Sequence, residues 1–269
     1  MKVKHIVSFF SAMLTTFCLD AQEMNPLDDG RKIRIPVVFH VIYGNEIENI
    51  DDRLILEELK DLNLDFSKRN DMTLLDQEFS HLVGNPNIDF YLLDTLFKEG
   101  RTNGIRHIVS SIAKMEDQLL IDPKNCLNVI ISDHGNSSNI LGDRVNLNYK
   151  DIGAHQRGFT HETGHWLGLY HIFGPIKNTS WWRVMFGNND DEIADTPEQK
   201  GATAVCYKIS EKCPCPPKDI DIYYKGHKTM YNNFMDYNPC RCMFSIGQSI
   251  KMRNNIISEK RSLFDKSIN

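Results

Sequence analysis

The sequence predicts an α/β N-terminal lobe, a twisted mixed sheet with a histidine-bearing helix, followed by a smaller, irregular C-terminal lobe that is stapled by disulfides and ends in a helix. Two observations carry this prediction. Over residues 33–171, segments of continuous apolar residues, typical of strands, alternate with segments whose apolar residues have helical spacing. This order is typical of domains in which helices cover a sheet. Residues 172–243 lack this periodicity and hold five of the seven cysteines.

The strands are predicted from β-branched and aromatic runs. IRIPVVFHVIY, residues 33–43, indicates a central strand, and NCLNVIIS, residues 125–132, indicates another buried strand. Further strands are predicted at 88–97 and 105–112. Residues 140–149 alternate more weakly and indicate an edge strand.

Three helices are predicted. Leucines at helical spacing indicate an amphipathic helix over residues 50–66. A second helix covers about 155–169. The third, within 244–258, begins with a capping box, because Ser245 is followed three residues later by Gln248.

Composition excludes some classes of protein. The 269 residues are 41% hydrophobic and 25% charged, which suits one large domain or two lobes around a cleft. The net charge is −5 and no basic stripe is present. We therefore expect no nucleic-acid partner. We also expect the protein to be a monomer.

The first 21 residues have the layout of a secretory signal peptide. Lys2 and Lys4 precede an apolar stretch that ends near Ala21. A buried N-terminal helix is one alternative. A lipoprotein signal ending at Cys18 is a poorer one, because the bulky Phe17 precedes the cysteine. The apolar run is shorter than the roughly 20 residues of a membrane span. We expect a secreted or periplasmic protein with no membrane anchor, a short leader at 22–31, and one folded domain at 32–269, with lobes at about 32–171 and 172–269.

Six cysteines remain after removal of a signal peptide. Export and clustering favour disulfides. The alternative is a zinc knuckle built from Cys213, Cys215, Cys240 and Cys242. The other two are Cys126 and Cys206.

The segment FTHETGHWLGLYHIFG, residues 159–174, predicts a metal site. His161 and His165 are four residues apart, so they share one face of a helix. Gly168 can end that helix and return His171 to the same ion. Three neutral histidines predict one catalytic zinc with an open position. Glu162 is the predicted general base for a zinc-activated water.

HETGHWLGLYH, followed by NFMDY at 233–237, resembles the metzincin metallopeptidases, and within them the pappalysin (cytophagalysin) family. IPVVFHVIY, LKDLNLDF and DEIADTPEQ agree with that family. The resemblance covers about residues 33–255.

This resemblance implies a metzincin-like fold and a secreted zinc endopeptidase acting on proteins or peptides. It implies that Met235 forms the Met-turn beneath the zinc histidines and that Tyr237 stabilises the transition state. It also implies that the strand near 140–149 binds extended substrate. A Cys206–Cys240 disulfide is implied as well, which leaves Cys242 to pair with Cys213 or Cys215.

Four acids within residues 190–195 raise the question of a second cation. A solvated acidic loop is the alternative, and the spacing does not fit an EF-hand. Closely packed carboxylates repel one another unless a cation lies among them. The resemblance implies calcium here, with Asp191 and Thr196 as ligands.

Two alternatives to an endopeptidase remain: a secreted binding protein that keeps the fold without turnover, and a zinc exopeptidase. Glu162 and Tyr237 argue against the first, because binding zinc requires neither. Asn238 and Pro239 stand where relatives often carry acids, which weakens the expectation of a preference for basic residues after the cleaved bond.

Overall fold

The structure is a computed structural model that describes residues 23–97, 100–110, 119–154, 156–174, 190–203 and 223–266. The predicted signal peptide and the cysteines at 206, 213 and 215 lie outside these ranges. The predicted mixed α/β architecture is confirmed for the described residues.

A mixed sheet forms the upper part of the molecule. Its central strand β1, Ile33–Tyr43, pairs in parallel with β2 (Ile88–Leu92), β5 (Ile105–Val109) and β6 (Leu127–Ser132). β8, Arg144–Asn148, continues the sheet in parallel beyond β6. β1 and β6 are buried along almost their whole length, because they are interior strands with apolar side chains on both faces.

Two strand predictions need correction. Residues 140–143 are a turn, where Leu141 has a left-handed φ of 54° that a strand cannot accommodate. β8 is also not the edge, because the two-residue β7 (Ser137–Ser138) pairs antiparallel with it. The predicted strand at 88–97 divides into β2 and β3 (Thr95–Phe97), and β3 pairs with β4 (Gly100–Thr102) in a separate hairpin.

The helices lie close to their predicted positions. α1 spans Asp52–Asp65, α2 spans Gly158–Trp166 and α3 spans Ile246–Glu259. The predicted capping box of α3 is present, with Ser245 and Gln248 bonded reciprocally. A short helix α4, Arg261–Lys266, follows and was not predicted.

The described C-terminal part is irregular between α2 and α3, apart from the small hairpin of β9 (Tyr223–Tyr224) and β10 (His227–Lys228). Cys240 is disulfide-bonded, which removes it as a zinc-knuckle ligand. Its predicted partner Cys206 is not described, so that pairing stays a prediction. The predicted disulfide of Cys242 is wrong, because its thiol is free and buried. Cys126 is also buried, and its thiol donates to the Ile121 carbonyl at 2.9 Å. Within the described ranges, none of the helices combines the length and the apolar character needed to cross a bilayer.

Candidate metal centre and its comparison with known proteins

Helix α2 carries the first two histidines, and a glycine ends it. After Leu167, Gly168 adopts a φ of +95° and donates its N–H to the His165 carbonyl at 2.8 Å. A side chain at Gly168 would be strained by that φ, and its Cβ would also collide with the Asn255 amide. The chain therefore turns sharply here and brings His171 back toward the helix.

The three predicted zinc histidines converge. Nε2 of His171 lies 3.2 Å from Nε2 of His161 and 3.1 Å from Nε2 of His165. Nitrogens bound tetrahedrally to one zinc at about 2.0–2.1 Å would be about 3.3 Å apart. The donor set and its spacing therefore fit zinc, and these residues form a group able to hold a metal ion.

Backbone carbonyls fix the orientation of two of the rings. Nδ1 of His161 is 2.8 Å from the Phe234 carbonyl, and Nδ1 of His165 is 2.7 Å from the Leu169 carbonyl. A carbonyl accepts only from N–H, so the proton lies on Nδ1 and the Nε2 lone pair is free. Burial lowers the pKa of all three histidines, that of His171 to about 3. Neutral imidazole is the form that binds metals.

Glu162 lies beside the first histidine and is buried, with 8% of its surface exposed. Burial raises the pKa of its carboxyl to about 8, and the nearby charge of Arg241 opposes that rise. Glu162 forms part of the wall of a cavity that also includes His161 and Tyr237. Its carboxyl group is thus placed beside the histidine cluster, in the wall of a cavity that can receive a bound molecule.

Met235, the residue predicted to form the Met-turn, packs against α2. A Cβ on Gly164 would lie 2.5 Å from the Met235 sulfur, so the glycine makes room for this contact between the two zinc-site histidines of the helix. The Met235 carbonyl accepts from the Ile172 N–H at 3.2 Å. The turn is therefore tied to the segment that leads from Gly168 past His171.

Tyr237 reaches the histidine cluster. Its hydroxyl is 2.6 Å from Nε2 of His171, and the side chain is partly open to solvent. Burial of the phenol, followed by the charge of Glu162, raises the pKa of Tyr237 to about 12. The hydroxyl keeps its proton and can donate a hydrogen bond.

Asp236 is a positioning residue that the sequence analysis missed. Its buried carboxylate accepts from the N–H of Tyr237 at 2.7 Å and from the hydroxyl of Thr203 at 2.5 Å. The Gln199 amide also donates to it at 3.2 Å. Asp236 therefore ties the Met-turn to the segment at 199–203. The acid of NFMDY is the signal that could have found it.

The acidic loop, residues 190–197, buries one carboxylate without satisfying it. Oδ1 of Asp191 accepts from the Thr196 hydroxyl at 2.5 Å and from the Ile193 N–H at 3.2 Å, whereas Oδ2 has no partner. Burial raises the pKa of Asp191 to about 7. Asp195 is used differently, because it accepts from Ser245 and Gly247 at the start of α3.

Arg241 is a second residue that the sequence analysis missed. It follows Cys240 and lies at the cavity beside Glu162. Its Nη1 donates to the Asp236 carbonyl at 3.1 Å and its Nη2 to the Gln156 carbonyl at 2.5 Å. Its position four residues after Tyr237 was visible in the sequence.

Solved structures share this architecture. Tannerella forsythia mature mirolysin, in complex with a cleaved peptide, aligns over 88% of this chain and 97% of its own, with a TM-score of 0.67 and 27% identity. Mirolysin in complex with a compound gives a TM-score of 0.70 and 28% identity over the same shares.

Curated relatives match more locally. An extracellular metalloprotease of Colletotrichum graminicola is 33% identical over 97 residues, which is 35% of this chain and 29% of that protein. One of Aspergillus fumigatus is 34% identical over 111 residues, 40% of this chain and 30% of that protein. The match thus spans about three-tenths of the length of these relatives.

The family comparison covers the metal site itself. The sequence profile of the peptidase family described as "Pregnancy-associated plasma protein-A" matches residues 121–257. That range runs from β6 through the histidines and the Met-turn into α3. The predicted relationship is thereby confirmed: the chain belongs to this metallopeptidase family, the pappalysin family.

Proposed function

We propose that the protein is a secreted, zinc-dependent endopeptidase. The observation that carries the proposal is the placement of Glu162 beside three converging, neutral histidines, at a cavity that opens to solvent. Relatives named as extracellular metalloproteases support both the activity and the secretion. The signal peptide predicted at residues 1–21 agrees with export.

His161, His165 and His171 would hold the zinc through their Nε2 atoms. Bound zinc would supply Lewis-acid chemistry at the carbonyl of the cleaved bond. The protein's part is to keep these nitrogens deprotonated and oriented. The Phe234 and Leu169 carbonyls do this for the two helix histidines.

Glu162 is the general base and then the general acid. Its carboxylate takes a proton from the attacking water and passes it to the leaving amine. Tyr237 donates a hydrogen bond from its hydroxyl to the negative charge that develops on the carbonyl oxygen. Asp236 holds the backbone of Tyr237 and so keeps the hydroxyl at the site.

The two alternatives make different predictions. A binding protein without turnover would bind zinc and peptide yet leave peptide bonds intact. An exopeptidase would need a free terminus next to the cleaved bond. The mirolysin structure that holds a cleaved peptide favours turnover for a chain of this fold.

One experiment tests the proposal. The purified protein is incubated with a diverse peptide library, with zinc or with a chelator, and products are identified by mass spectrometry. Internal cleavage that the chelator abolishes is the expected result. Peptides left intact, or trimmed one residue at a time from an end, would overturn the endopeptidase assignment.

We further propose that Asp191 and Thr196 bind calcium. A buried carboxylate oxygen without a partner is costly, and a hard cation with oxygen ligands removes that cost. The Thr196 hydroxyl lies 2.5 Å from the other oxygen of the same carboxylate, so the two side chains can share one ion.

A further inference from the structure

A cavity of about 300 Å³ lies directly beside the proposed general base. This volume is at the lower end of the roughly 300–1,000 Å³ of ligand pockets, which suits one substrate side chain. His171 is not part of its wall. The residues that line it are Asn136, Gln156, Gly158, His161, Glu162, Tyr237 and Arg241.

Arg241 brings a cation with spare donors to this cavity. A guanidinium has five N–H donors, and here two of its nitrogens donate to the carbonyls of Asp236 and Gln156. Nε is buried and has no partner. Nη1 also lies 3.5 Å from Nδ1 of His161, which already donates to a carbonyl.

No carboxylate neutralises this cation by direct contact. Among the residues that the structure describes, Arg241 has no ion pair within 4 Å. The Asp236 carboxylate is occupied by Thr203, Gln199 and the Tyr237 N–H, and Arg241 contacts only the carbonyl of that residue. Glu162 is the carboxylate in the cavity wall, and the proposed reaction uses it.

The reaction fixes which substrate residue enters the cavity. Glu162 passes its proton to the leaving amine, so the amine side of the cleaved bond must lie against Glu162. The cavity shares Glu162 as a wall. It therefore receives the side chain of the residue that follows the cleaved bond.

We propose that Arg241 makes this cavity selective for an acidic side chain, Asp or Glu, on the residue directly after the cleaved bond. The inference rests on the proposed peptidase activity. Arginine pairs with carboxylates through planar, charge-assisted hydrogen bonds. A lysine or arginine side chain would bring a like charge to a cation that has no carboxylate partner, and is disfavoured.

A carboxylate could also come from a substrate C-terminus. The main chain of a substrate runs along the site while its side chains enter cavities, so the side chain is the source proposed here. Peptides with amidated ends separate the two sources, because they carry no terminal carboxylate.

The test uses matched peptides that differ only after the cleaved bond, with Glu, Gln or Lys there and amidated C-termini. For the wild-type enzyme, kcat/KM for the Glu peptide should exceed that for the Gln peptide by about 10-fold or more, as hydrogen bonds to charged groups allow. The Lys peptide should be the poorest substrate.

Variants then assign the preference to one residue. Arg241→Gln should reduce the Glu-to-Gln ratio to near one, and Arg241→Lys should restore part of it. Arg34→Gln removes the same charge from an exposed strand position paired with Asp89, and should leave the ratio unchanged. Should Arg241→Gln fail to fold, binding of the same peptides to Glu162→Ala, measured by calorimetry, gives the preference without turnover.

The outcomes separate the two proposals. If no peptide is cleaved, the peptidase assignment itself fails. If all three are cleaved equally well, or Lys is preferred, the assignment stands and the role of Arg241 is overturned. A preference seen only when the acid is a free C-terminal residue overturns the side-chain source.

Discussion

The histidine cluster and the acidic loop both bury ligand-type side chains, yet they respond to burial in opposite ways. His161 and His165 each donate Nδ1–H to a carbonyl, and burial lowers their pKa, so they are neutral and satisfied before any cation binds. Asp191 has an unpaired oxygen, and burial raises its pKa. The histidine cluster is complete without a cation, whereas the loop requires a cation or a proton.

The difference indicates that the proposed zinc would act in catalysis and the proposed calcium in stabilising the fold. Zinc at neutral imidazoles adds chemistry to a framework that already has its shape. A cation at Asp191 would instead contribute to the framework itself. The two regions are also connected, because Gln199 and Thr203, just beyond the acidic loop, bond to Asp236 in the Met-turn.

The greatest loss of activity is expected for a substitution of Glu162, beside the histidine cluster. Glu162→Ala should retain about one zinc per chain and lose cleavage by a factor on the order of 10²–10⁴, because it removes the base and no ligand. Metal content by mass spectrometry and kcat on a peptide check this. Glu162→Gln, which preserves the shape, should behave alike, and wild-type turnover in either variant would refute the mechanism.

A smaller loss of catalytic rate is expected when the hydroxyl of Tyr237, the proposed oxyanion donor, is removed. Tyr237→Phe should lower kcat far more than it raises KM, by at most about 10²–10³, because the hydroxyl acts in the transition state. Tyr223→Phe removes an exposed hydroxyl elsewhere and serves as the control. An unchanged kcat in Tyr237→Phe would mean that the hydroxyl is structural.

Much of the fold could be predicted because its signals are local. The buried run of β1, the leucine spacing of α1 and the capping box of α3 each depend on neighbouring residues. The strand at 140–149 was misplaced because its first residues form a turn at Leu141, and the covering strand β7 has only two residues. Which strands pair with one another depends on tertiary structure and cannot be predicted from the sequence of a single segment.

Part of the candidate site could likewise be predicted from local sequence, and part depends on tertiary structure. The histidines and Glu162 follow from helical spacing, and their carbonyl partners, from residues 169 and 234, do not. Arg241 and Asp236 were missed because their roles depend on where the chain returns after the Met-turn. Cys242 was expected in a disulfide, yet its thiol is buried and its carbonyl accepts from Asn70.

The next effect tests the acidic loop. Calcium added to chelator-treated protein at about 100 times its dissociation constant should stabilise the fold by about 2.7 kcal/mol. That corresponds to a rise in Tm of roughly 5–11 °C for a domain of this size. Self-cleavage should slow as well, because the ordered loop opens less often.

A matched pair of variants locates the ion. Asp191→Asn should remove most of the calcium response. Glu192→Gln removes an exposed acid one residue away and should keep it. If Tm of the wild type does not respond to calcium, the loop is a solvated acidic segment whose buried carboxylate is held by protonation.

The smallest expected effect concerns Asp65, a buried carboxylate for which no bound cation is proposed. Asp65 of α1 accepts from the Thr160 hydroxyl of α2 at 2.6 Å, with Nε of Arg157 at 3.6 Å, and its other oxygen has no partner. Burial, opposed by the charge of Arg157, raises its pKa from 3.8 to about 7. The folded protein therefore holds this proton up to about pH 7, whereas the unfolded chain releases it near its ordinary pKa.

It follows that Asp65 lowers the free energy of unfolding as pH rises from about 4 to about 7, because the folded state binds more protons in that window. Asp65→Asn keeps an acceptor for Thr160 and abolishes the titration. Its Tm relative to the parent should rise across this window, by roughly 2–4 °C for each kcal/mol that the ionised carboxylate costs. Thermal melts of both proteins in the Glu162→Ala background, which prevents self-cleavage, measure this difference. Curves that stay parallel from pH 4 to pH 8 would show that Arg157 already compensates the charge, and that the acidic loop alone carries an uncompensated buried carboxylate.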